Sequence, residues 1–398
     1  MFEINEDVVF VEGAKNGAIY NFSTHKVYSI NRKACDIIGR YVKSKTIKED
    51  EKYLEKLKMN NLISSNFSPR VYSVNVCKNV SLEMAWIEIT QKCNLKCLHC
   101  YEGNSHLGCM DVLSIEEWKD IIDQLARLKI KRLIIIGGEP GCYINLIELI
   151  NYVSQYNINV TLFTNATCFT DKLLECVIKN NIRVKVSVYG HKEEIHDTIT
   201  GVQGSFFKMT KAVKYLVDNG IKVYSAVIIM KENEDYVDDI ISFVKSIGMQ
   251  YSRYDVIRKV FGGTQNSHIP TKKKVLEPVY LRKPNFKADK IKFQNNMIRN
   301  TCWYGKISIM ENGDVIPCEF ERNLVYGNTR IDTIKNIINK ESTLKNWFLD
   351  FSNIEDCKEC EYRFACNDCR PIGISVCGNI HSKNPRCCYD VKNGIWKE

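Results

Sequence analysis

The stretch MAWIEITQKCNLKCLHC, residues 84–100, places a predicted strand directly before a cysteine-rich loop. Apolar and β-branched residues dominate its first seven positions, which predicts a buried strand. Three cysteines follow at CxxxCxxC spacing, as Cys93, Cys97 and Cys100. Three thiolates this close can hold three irons of a cubane [4Fe–4S] cluster and leave its fourth iron open to an outside ligand. A zinc knuckle, with His99 or His106 as fourth ligand, is the alternative.

The composition of the 398-residue chain is that of a globular protein with two or three domains, since 44% of residues are hydrophobic and 26% are charged. The start of the sequence carries no apolar signal segment, and no apolar run is long enough for a membrane span, so we expect a cytoplasmic location and no membrane partner. Eighteen cysteines in a reducing compartment favour metal binding over disulfides. The net charge of +9 is concentrated in a predicted basic linker, residues 263–299, which we interpret as solvated. A patch that attracts an acidic peptide or nucleic acid is the alternative. No nucleic-acid-binding motif accompanies the linker, and no nucleic-acid partner is expected.

Residues 82–262 alternate predicted strands with predicted helices, which is typical of a parallel sheet with helical crossovers. A capping box of Ser114 and Glu117 begins the first of these helices. Six strands are too few for a complete eight-fold barrel, so the fold class is α/β with a partial (β/α)6 TIM-like barrel. Ligands in such sheets lie at the carboxyl ends of the strands, where the cysteine loop and the segments GGEP, TNAT and SVYG fall.

On these residues the sequence resembles the radical S-adenosylmethionine (SAM) superfamily. The resemblance implies that Cys93, Cys97 and Cys100 bind a [4Fe–4S] cluster and serve catalysis, that SAM chelates the open iron, and that its reductive cleavage yields methionine and a 5′-deoxyadenosyl radical. It further implies a set of SAM contacts: His99, Tyr101, Gly137, Gly138, Glu139, Pro140, Thr164, Asn165, Ser187, Tyr189 and Arg258. One position departs from the family pattern, because Thr200 stands before GVQGSF where an arginine is common.

The region 300–398 carries nine further cysteines and little regular periodicity. Its spacing resembles the SPASM domain, an auxiliary iron–sulfur extension of radical SAM maturases, although the last gap of CX2CX5CX2C is one residue shorter than in that family. A zinc ribbon is the alternative for the CX2C pair alone. The resemblance implies two auxiliary [4Fe–4S] clusters. Cluster I would use Cys302, Cys318 and Cys369, with either an open iron or Cys377 as fourth ligand; cluster II would use Cys357, Cys360, Cys366 and Cys387, with Cys388 as a competitor.

Residues 1–78 read as three short strands followed by two helices, a winged-helix-like module. The pattern, and its position before the barrel, resemble the RiPP recognition element, the PqqD-like fold that binds leader peptides as an added strand. A module that merely caps the barrel is the alternative.

Together these resemblances imply a radical SAM oxidoreductase that modifies a ribosomally made precursor peptide, with a cysteine thioether as the expected cross-link and a flavodoxin or ferredoxin as electron donor. Carbon–carbon cross-linking, epimerisation with Cys142 as hydrogen donor, and sulfatase maturation remain open on the same scaffold. A non-catalytic metal or redox sensor is the alternative from another class. The leftover cysteines, Cys142 aside, are expected to be small buried hydrophobes.

Overall fold

A computed structural model describes residues 1–44, 51–74, 80–100, 112–258, 265–279 and 286–397. The chain divides into two compact units. The first comprises Met1–Asn79, Tyr280–Tyr304 and Lys345–Glu398, and the second, here the barrel unit, comprises Val80–Val279 and Gly305–Leu344. These units are drawn differently from the predicted domains, because residues 305–344 group with the barrel.

The strands are β1 Phe2–Asn5, β2 Val8–Glu12, β3 Gly17–Asn21, β4 Lys26–Ile30, β5 Arg70–Val71, β6 Met84–Glu88, β7 Arg132–Ile136, β8 Asn159–Thr164, β9 Arg183–Val188, β10 Val223–Ile229, β11 Asp255–Val256, β12 Lys306–Ile309, β13 Asp314–Ile316, β14 Gly327–Asn328, β15 Tyr389–Asp390 and β16 Ile395–Trp396. The α-helices are α1 Arg32–Ser44, α2 Glu51–Met59, α3 Ile115–Arg127, α4 Leu146–Val153, α5 Asp171–Lys179, α6 Glu193–Thr200, α7 Ser205–Asp218, α8 Val237–Ser246, α9 Lys273–Leu276, α10 Lys290–Ile298, α11 Ile334–Asn339, α12 Glu341–Trp347 and α13 Arg370–Cys377. Short 3-10 turns join several of them.

The first unit is built on a sheet of order β4-β3-β2-β1-β5. The three strands predicted in residues 1–78 appear as β2, β3 and β4, and both predicted helices form, as α1 and α2. Strands β1 and β5 were not predicted, because four and two residues are too short to show a period.

Both faces of this sheet are buried. On one face, Ile19 packs with Ile38 of α1 and Leu57 of α2. On the other face, Tyr20 packs against Phe293 of α10, with ring centroids 4.8 Å apart, in a cluster that includes Tyr389 of β15. The amino-terminal module and the carboxy-terminal segment therefore share one hydrophobic core, which neither can complete alone.

The barrel unit contains a nine-stranded sheet of order β11-β10-β9-β8-β7-β6-β12-β13-β14. The six predicted strands, β6 to β11, are confirmed and run parallel. The sixth is only Asp255–Val256, shorter than predicted, and α6 was missed. Strand β12 adds in parallel to β6, and β13 and β14 continue antiparallel. The capping box at Ser114 is present as predicted.

Burial alternates along the barrel strands. In β9, Val184, Val186 and Val188 are completely buried, whereas Lys185 is exposed and Ser187 is half-buried. The valines face the helical layer, so Lys185 and Ser187 face the concave inside of the barrel sheet. None of the helices in the described part of the chain is both long and apolar enough to cross a membrane.

Candidate active site at the cysteine loop

The cysteine loop is fastened on one side to the glycines that end β7. Gly138 N–H donates to Thr90 C=O at 2.7 Å, and Glu139 N–H donates to Lys92 C=O at 2.8 Å. A Cβ atom on Gly137 would lie 2.4 Å from the Thr90 oxygen, and one on Gly138 would lie 2.3 Å from the Gln91 oxygen. These glycines were expected to admit a ligand. The structure shows that they admit the backbone that leads into Cys93.

The other side of the loop is fastened to the end of α6. Lys96 N–H donates to Thr200 C=O at 2.8 Å, and Leu98 N–H donates to Ile199 C=O at 2.9 Å. Gly201 follows with a φ of +68°, and a Cβ there would lie 2.8 Å from the Lys96 oxygen. Sequence reasoning missed this role of α6, although the glycine in GVQGSF was a usable signal. The Thr200 hydroxyl is buried against Ser205 Oγ at 2.7 Å.

The buried carboxylate of Glu139 organises the ends of two strands. It accepts hydrogen bonds from the Thr164 hydroxyl at 2.6 Å, from Asn165 N–H at 2.7 Å and from Gly141 N–H at 2.9 Å. Burial raises the pKa of Glu139, and these three hydrogen bonds, which lower it, only partly offset that effect. Glu139 and Thr164, predicted to contact SAM, thus have side chains turned toward each other. Glu139 fixes the backbone of Asn165, whose side-chain nitrogen Nδ2 lies 3.9 Å from Cys93 Sγ.

The three loop thiols are electrostatic neighbours. Burial raises the pKa of Cys97, and negative charge on Cys93 and Cys100 raises it further. Without a positive partner, three thiolates here would repel one another, so iron ions that replace the protons fit this site. Among the described residues, no three His, Cys, Asp or Glu side chains already form a site for a single metal ion.

His99 and Tyr189 form an aromatic wall beside the loop. Their ring centroids are 4.5 Å apart in an edge arrangement. Burial lowers the pKa of His99 to about 4, with His268 and His196 contributing, so the imidazole is neutral near pH 7. Its Nδ1 is buried and has no hydrogen-bond partner among the described residues, which leaves it available to a bound group. Tyr101, also predicted here, lies outside the described residues.

Arg258 follows β11 and already has a carboxylate partner. Its Nε donates to Asp255 Oδ2 at 3.0 Å, and its guanidinium lies 4.9 Å from the centre of the Phe320 ring. The sequence predicted that Arg258 could pair with a carboxylate, and the structure identifies Asp255 as one. A contact with SAM stays a prediction.

In the first unit, the four cysteines predicted for auxiliary cluster II lie near one another. Burial raises the pKa of Cys366 strongly, and Cys357, Cys387 and Cys360 raise it further. Burial also raises the pKa of Cys357, to about 12. Cys388 adjoins Cys387 in the chain and stays the competitor for the last place.

A buried arginine holds the loops around this cysteine array, and sequence reasoning missed it. Arg370 is completely buried and pairs with Asp368, Nη2 to Oδ1 at 2.7 Å. It also donates to the carbonyl groups of Ile380 at 2.9 Å and Ser382 at 2.8 Å. One cation thus joins the segment at Asp368 to the turn at residues 380–382.

The cysteines predicted for auxiliary cluster I are divided between the units. Cys302 and Cys369 belong to the first unit and Cys318 to the barrel unit. Cys369 immediately precedes α13 and the exposed Cys377 ends it, so about 12 Å of helix separates them. This separation disfavours Cys377 as fourth ligand beside Cys369.

The leftover cysteines differ in their surroundings. Cys35 and Cys176 are buried, as expected. Cys142 and Cys168 are only partly buried, with their Sγ atoms 3.7 Å apart beside the Glu139 loop. Cys77 and Cys109 lie outside the described residues.

Comparisons with known proteins agree with this geometry. Residues 87–244 match the radical SAM superfamily, and residues 302–361 match SPASM, an iron–sulfur cluster-binding domain. The antilisterial bacteriocin subtilosin biosynthesis protein AlbA of Bacillus subtilis (strain 168) is 28% identical over 324 residues, which cover 78% of this chain and 71% of AlbA. An AdoMet-dependent heme synthase of Oleidesulfovibrio alaskensis is 24% identical over 77% of this chain and 87% of its own. Streptococcus suis SuiB has a similar fold, with a TM-score of 0.63, 18% identity and coverage of 96% of this chain and 99% of SuiB.

The predicted fold class is therefore confirmed: a partial TIM-like α/β barrel with a radical SAM domain, followed by a SPASM domain. The chain is a radical SAM enzyme, of the class that binds a [4Fe–4S] cluster and cleaves SAM, and its SPASM domain binds auxiliary iron–sulfur clusters.

Proposed function

We propose that this enzyme is a peptide maturase that takes hydrogen from a ribosomally made precursor and installs a cross-link, a thioether from a cysteine sulfur. The observation that carries the proposal is the cysteine loop, fastened on both sides at the carboxyl ends of the barrel strands, in a chain that holds a second, separate cysteine array. The likeness to AlbA, a bacteriocin biosynthesis protein, supports a peptide substrate. SuiB, of similar fold, has been solved with its precursor peptide SuiA.

In this proposal Cys93, Cys97 and Cys100 hold the cluster that binds SAM. When bound, the cluster supplies the electron that cleaves SAM to methionine and a 5′-deoxyadenosyl radical. The chain itself keeps the loop in place through Gly138 and Gly201, and the side-chain Nδ2 group of Asn165 stabilises thiolate charge on Cys93. Ser187 and Tyr189, at the end of β9, line the SAM position.

For the second array, we assign Cys357, Cys360, Cys366 and Cys387 to auxiliary cluster II. Cys302, Cys318 and Cys369 keep their predicted role in auxiliary cluster I. An electron donor such as flavodoxin or ferredoxin completes the proposed reaction by reducing the SAM-binding cluster.

We place leader binding at β4, which is an edge strand of its sheet. Ala288 N–H donates to His25 C=O at 3.1 Å, so His25 turns its carbonyl group away from β3. Lys26 also pairs with Lys287 in an antiparallel bridge, so residues 286–288 already cover the start of this edge. Backbone groups alternate sides along a strand, so Ser29 turns its groups outward beyond that bridge, where an added strand would pair. A cavity of about 410 Å³ lies beside this edge, with Tyr362 and Trp396 in its wall, and would receive an apolar leader side chain.

Anaerobic reconstitution tests the enzymatic core. With dithionite and SAM, the wild-type chain should form 5′-deoxyadenosine, measured by mass spectrometry. The triple variant C93A/C97A/C100A should form none and should bind about four fewer irons. C176A, which removes a buried thiol of α5, is the control and should keep its activity. A colourless, zinc-loaded protein would contradict the scheme.

A labelled precursor peptide, encoded beside the gene for this chain, tests the substrate. Ser29→Pro removes an outward N–H and should weaken binding at least tenfold in fluorescence anisotropy. Ser29→Ala keeps that N–H and is the matched control, since both variants lose the hydroxyl contact with Tyr362. Turnover of a porphyrin rather than a peptide would instead favour the activity named for the heme synthase relatives.

A further inference from the structure

One layer of the concave barrel face carries an isolated lysine between two aromatic rings. The strand register pairs Lys185 of β9 with Phe163 of β8 and with Tyr224 of β10. Side chains at paired positions of adjacent strands point to the same face. The Lys185 ammonium group lies 5.1 Å from the centre of the Phe163 ring. Lys185 therefore lies in a shallow aromatic trough inside the barrel.

The charge of Lys185 is not neutralised within the described residues. Glu88, in the same layer, forms a buried ion pair with Arg322. Asp255 is paired with Arg258 at 2.5 Å. Glu319 is a close enough neighbour to affect Lys185 electrostatically, but no ion pair joins the two. Arg253 is a further cation whose charge acts on Lys185, so the ammonium group has neighbours of both signs but no ion pair among the described residues.

Water reaches Lys185, although protein surrounds it. Its side chain is exposed, yet burial lowers the pKa of the ammonium group, with Arg258 and Arg253 also acting in that direction. A side chain that is both accessible to water and surrounded by protein lines a cavity rather than an outer surface. A ligand carboxylate that displaces the water there would form an ion pair with Lys185 that is stronger than in bulk water.

The depth of Lys185 places it beneath the proposed SAM position. Ser187, at the end of β9, is two residues further along, which is about 7 Å of strand. A substrate residue whose hydrogen is taken at the SAM position would have its neighbouring groups in the Lys185 layer.

We infer that Lys185 binds a carboxylate of the substrate: an Asp or Glu side chain of the peptide, at or beside the residue that loses hydrogen. The inference rests on the proposed peptide maturase function. Phe163 and Tyr224 would pack on the methylene groups of that side chain. The carboxylate of SAM is a second source of the same chemistry, and the experiment separates the two.

The experiment uses the full chain, reconstituted anaerobically, with 5′-deoxyadenosine and methionine in place of SAM to prevent turnover. A displayed library of short randomised peptides is selected against the wild type, Lys185→Met and Lys185→Arg. Lys211→Met, on the exposed face of α7, is the matched control. The wild type, K185R and the control should enrich Asp or Glu at one position, and K185M should not.

A peptide selected in this way is then used to measure how much the ion pair contributes to binding affinity. Replacing its acidic residue by Asn or Gln should weaken binding to the wild type by about tenfold and to K185M by less than about twofold, the signature of a direct pair. Amidation of the peptide carboxyl terminus should change neither value. Thermal unfolding of K185M should match that of the wild type, because no ion pair of the fold is lost.

Three outcomes would overturn the inference. If the wild type and K185M enriched the same peptides with no preference for Asp or Glu, the carboxylate site would be ruled out while the peptide maturase function would stand. Weaker SAM binding by K185M with an unchanged peptide preference would assign Lys185 to the carboxylate of SAM. If the wild type enriched no peptide and formed no 5′-deoxyadenosine in the earlier assay, both the inference and the proposed function would fail.

Discussion

The two cysteine-bearing regions of the molecule are held by different forces. The loop of Cys93, Cys97 and Cys100 is fastened by backbone hydrogen bonds on both sides and by glycines that leave no room for a side chain. The array around Cys366 consists of short turns and helix α13, and it is held by the buried Arg370 and by apolar side chains packed on its cysteines. The first loop is therefore shaped by the barrel before iron arrives, whereas the array depends on side-chain contacts, apolar and ionic, to which metal would add cross-links.

The largest effect should come from Gly138→Ala. A methyl group 2.3 Å from the Gln91 oxygen must push the cysteine loop away from β7. We expect at least about a hundredfold loss of 5′-deoxyadenosine formation, since small displacements of reacting groups are costly. Gly39→Ala in α1, where the added carbon meets no atom within 4 Å beyond the local helix backbone, is the control and should leave the rate unchanged. Normal activity of G138A would show that the loop is not held in this way.

Removing iron with a chelator should separate the two regions. Amide hydrogen exchange of the apoprotein should stay slow at Lys96 and Leu98, whose N–H groups bond to α6. Exchange should become faster between residues 356 and 388, where side-chain packing and one buried ion pair hold turns that metal would cross-link further. If both regions lost the same amount of amide protection, the proposed difference between the cysteine loop and the array would be wrong.

Arg370→Met tests the buried cation. The substitution leaves Asp368 buried without its partner, which should lower the free energy of unfolding of this region by about 3–5 kcal/mol. Urea unfolding followed by fluorescence gives the value. The double variant R370M/D368L should recover part of the loss, because it removes the uncompensated charge. An unchanged midpoint for R370M would contradict the role given to this residue.

The smallest effect concerns pH in the barrel unit. Burial lowers the pKa of His196 to about 4 from an ordinary value of 6.5. Between these values the unfolded chain binds the proton and the folded chain does not, so stability falls as the pH drops from 6.5 to 4, by up to about 3 kcal/mol. His196→Phe should flatten this slope by about one proton. The same acid dependence in both proteins would show that another group is responsible.

Much of the site was predictable because its cluster-binding cysteines are identified by short spacings along the chain. The CxxxCxxC loop, the strand order and the capping box of Ser114 depend on residues close in the chain. The partners of the loop were not predictable. Gly201 lies about a hundred residues from Lys96, and its role depends on how α6 packs. The contact of Glu139 with SAM stays a prediction from its motif, and only the structure shows that its carboxylate holds Thr164 and Asn165.

The amino-terminal module shows the same limit. Its three central strands and both helices were predicted from apolar periodicity, yet the module was taken as a separate domain. Its second sheet face is covered by Phe293 and Tyr389, from segments more than two hundred residues away. Deleting the module would therefore expose the core of the cysteine array, and point changes such as S29P are the better test of leader binding.

The sequence by itself determined the parallel barrel, the cluster chemistry and the second set of thiols, because hydrophobic period and cysteine spacing act over a few residues. Only the tertiary structure decided what fastens the cysteine loop, that Arg370 joins Asp368 to the turn at residues 380–382, and that Lys185 has no ion-pair partner among the described residues. These features depend on which groups, distant in sequence, are close in space. The effect of a buried charge or of a glycine depends on the neighbours that packing places beside it.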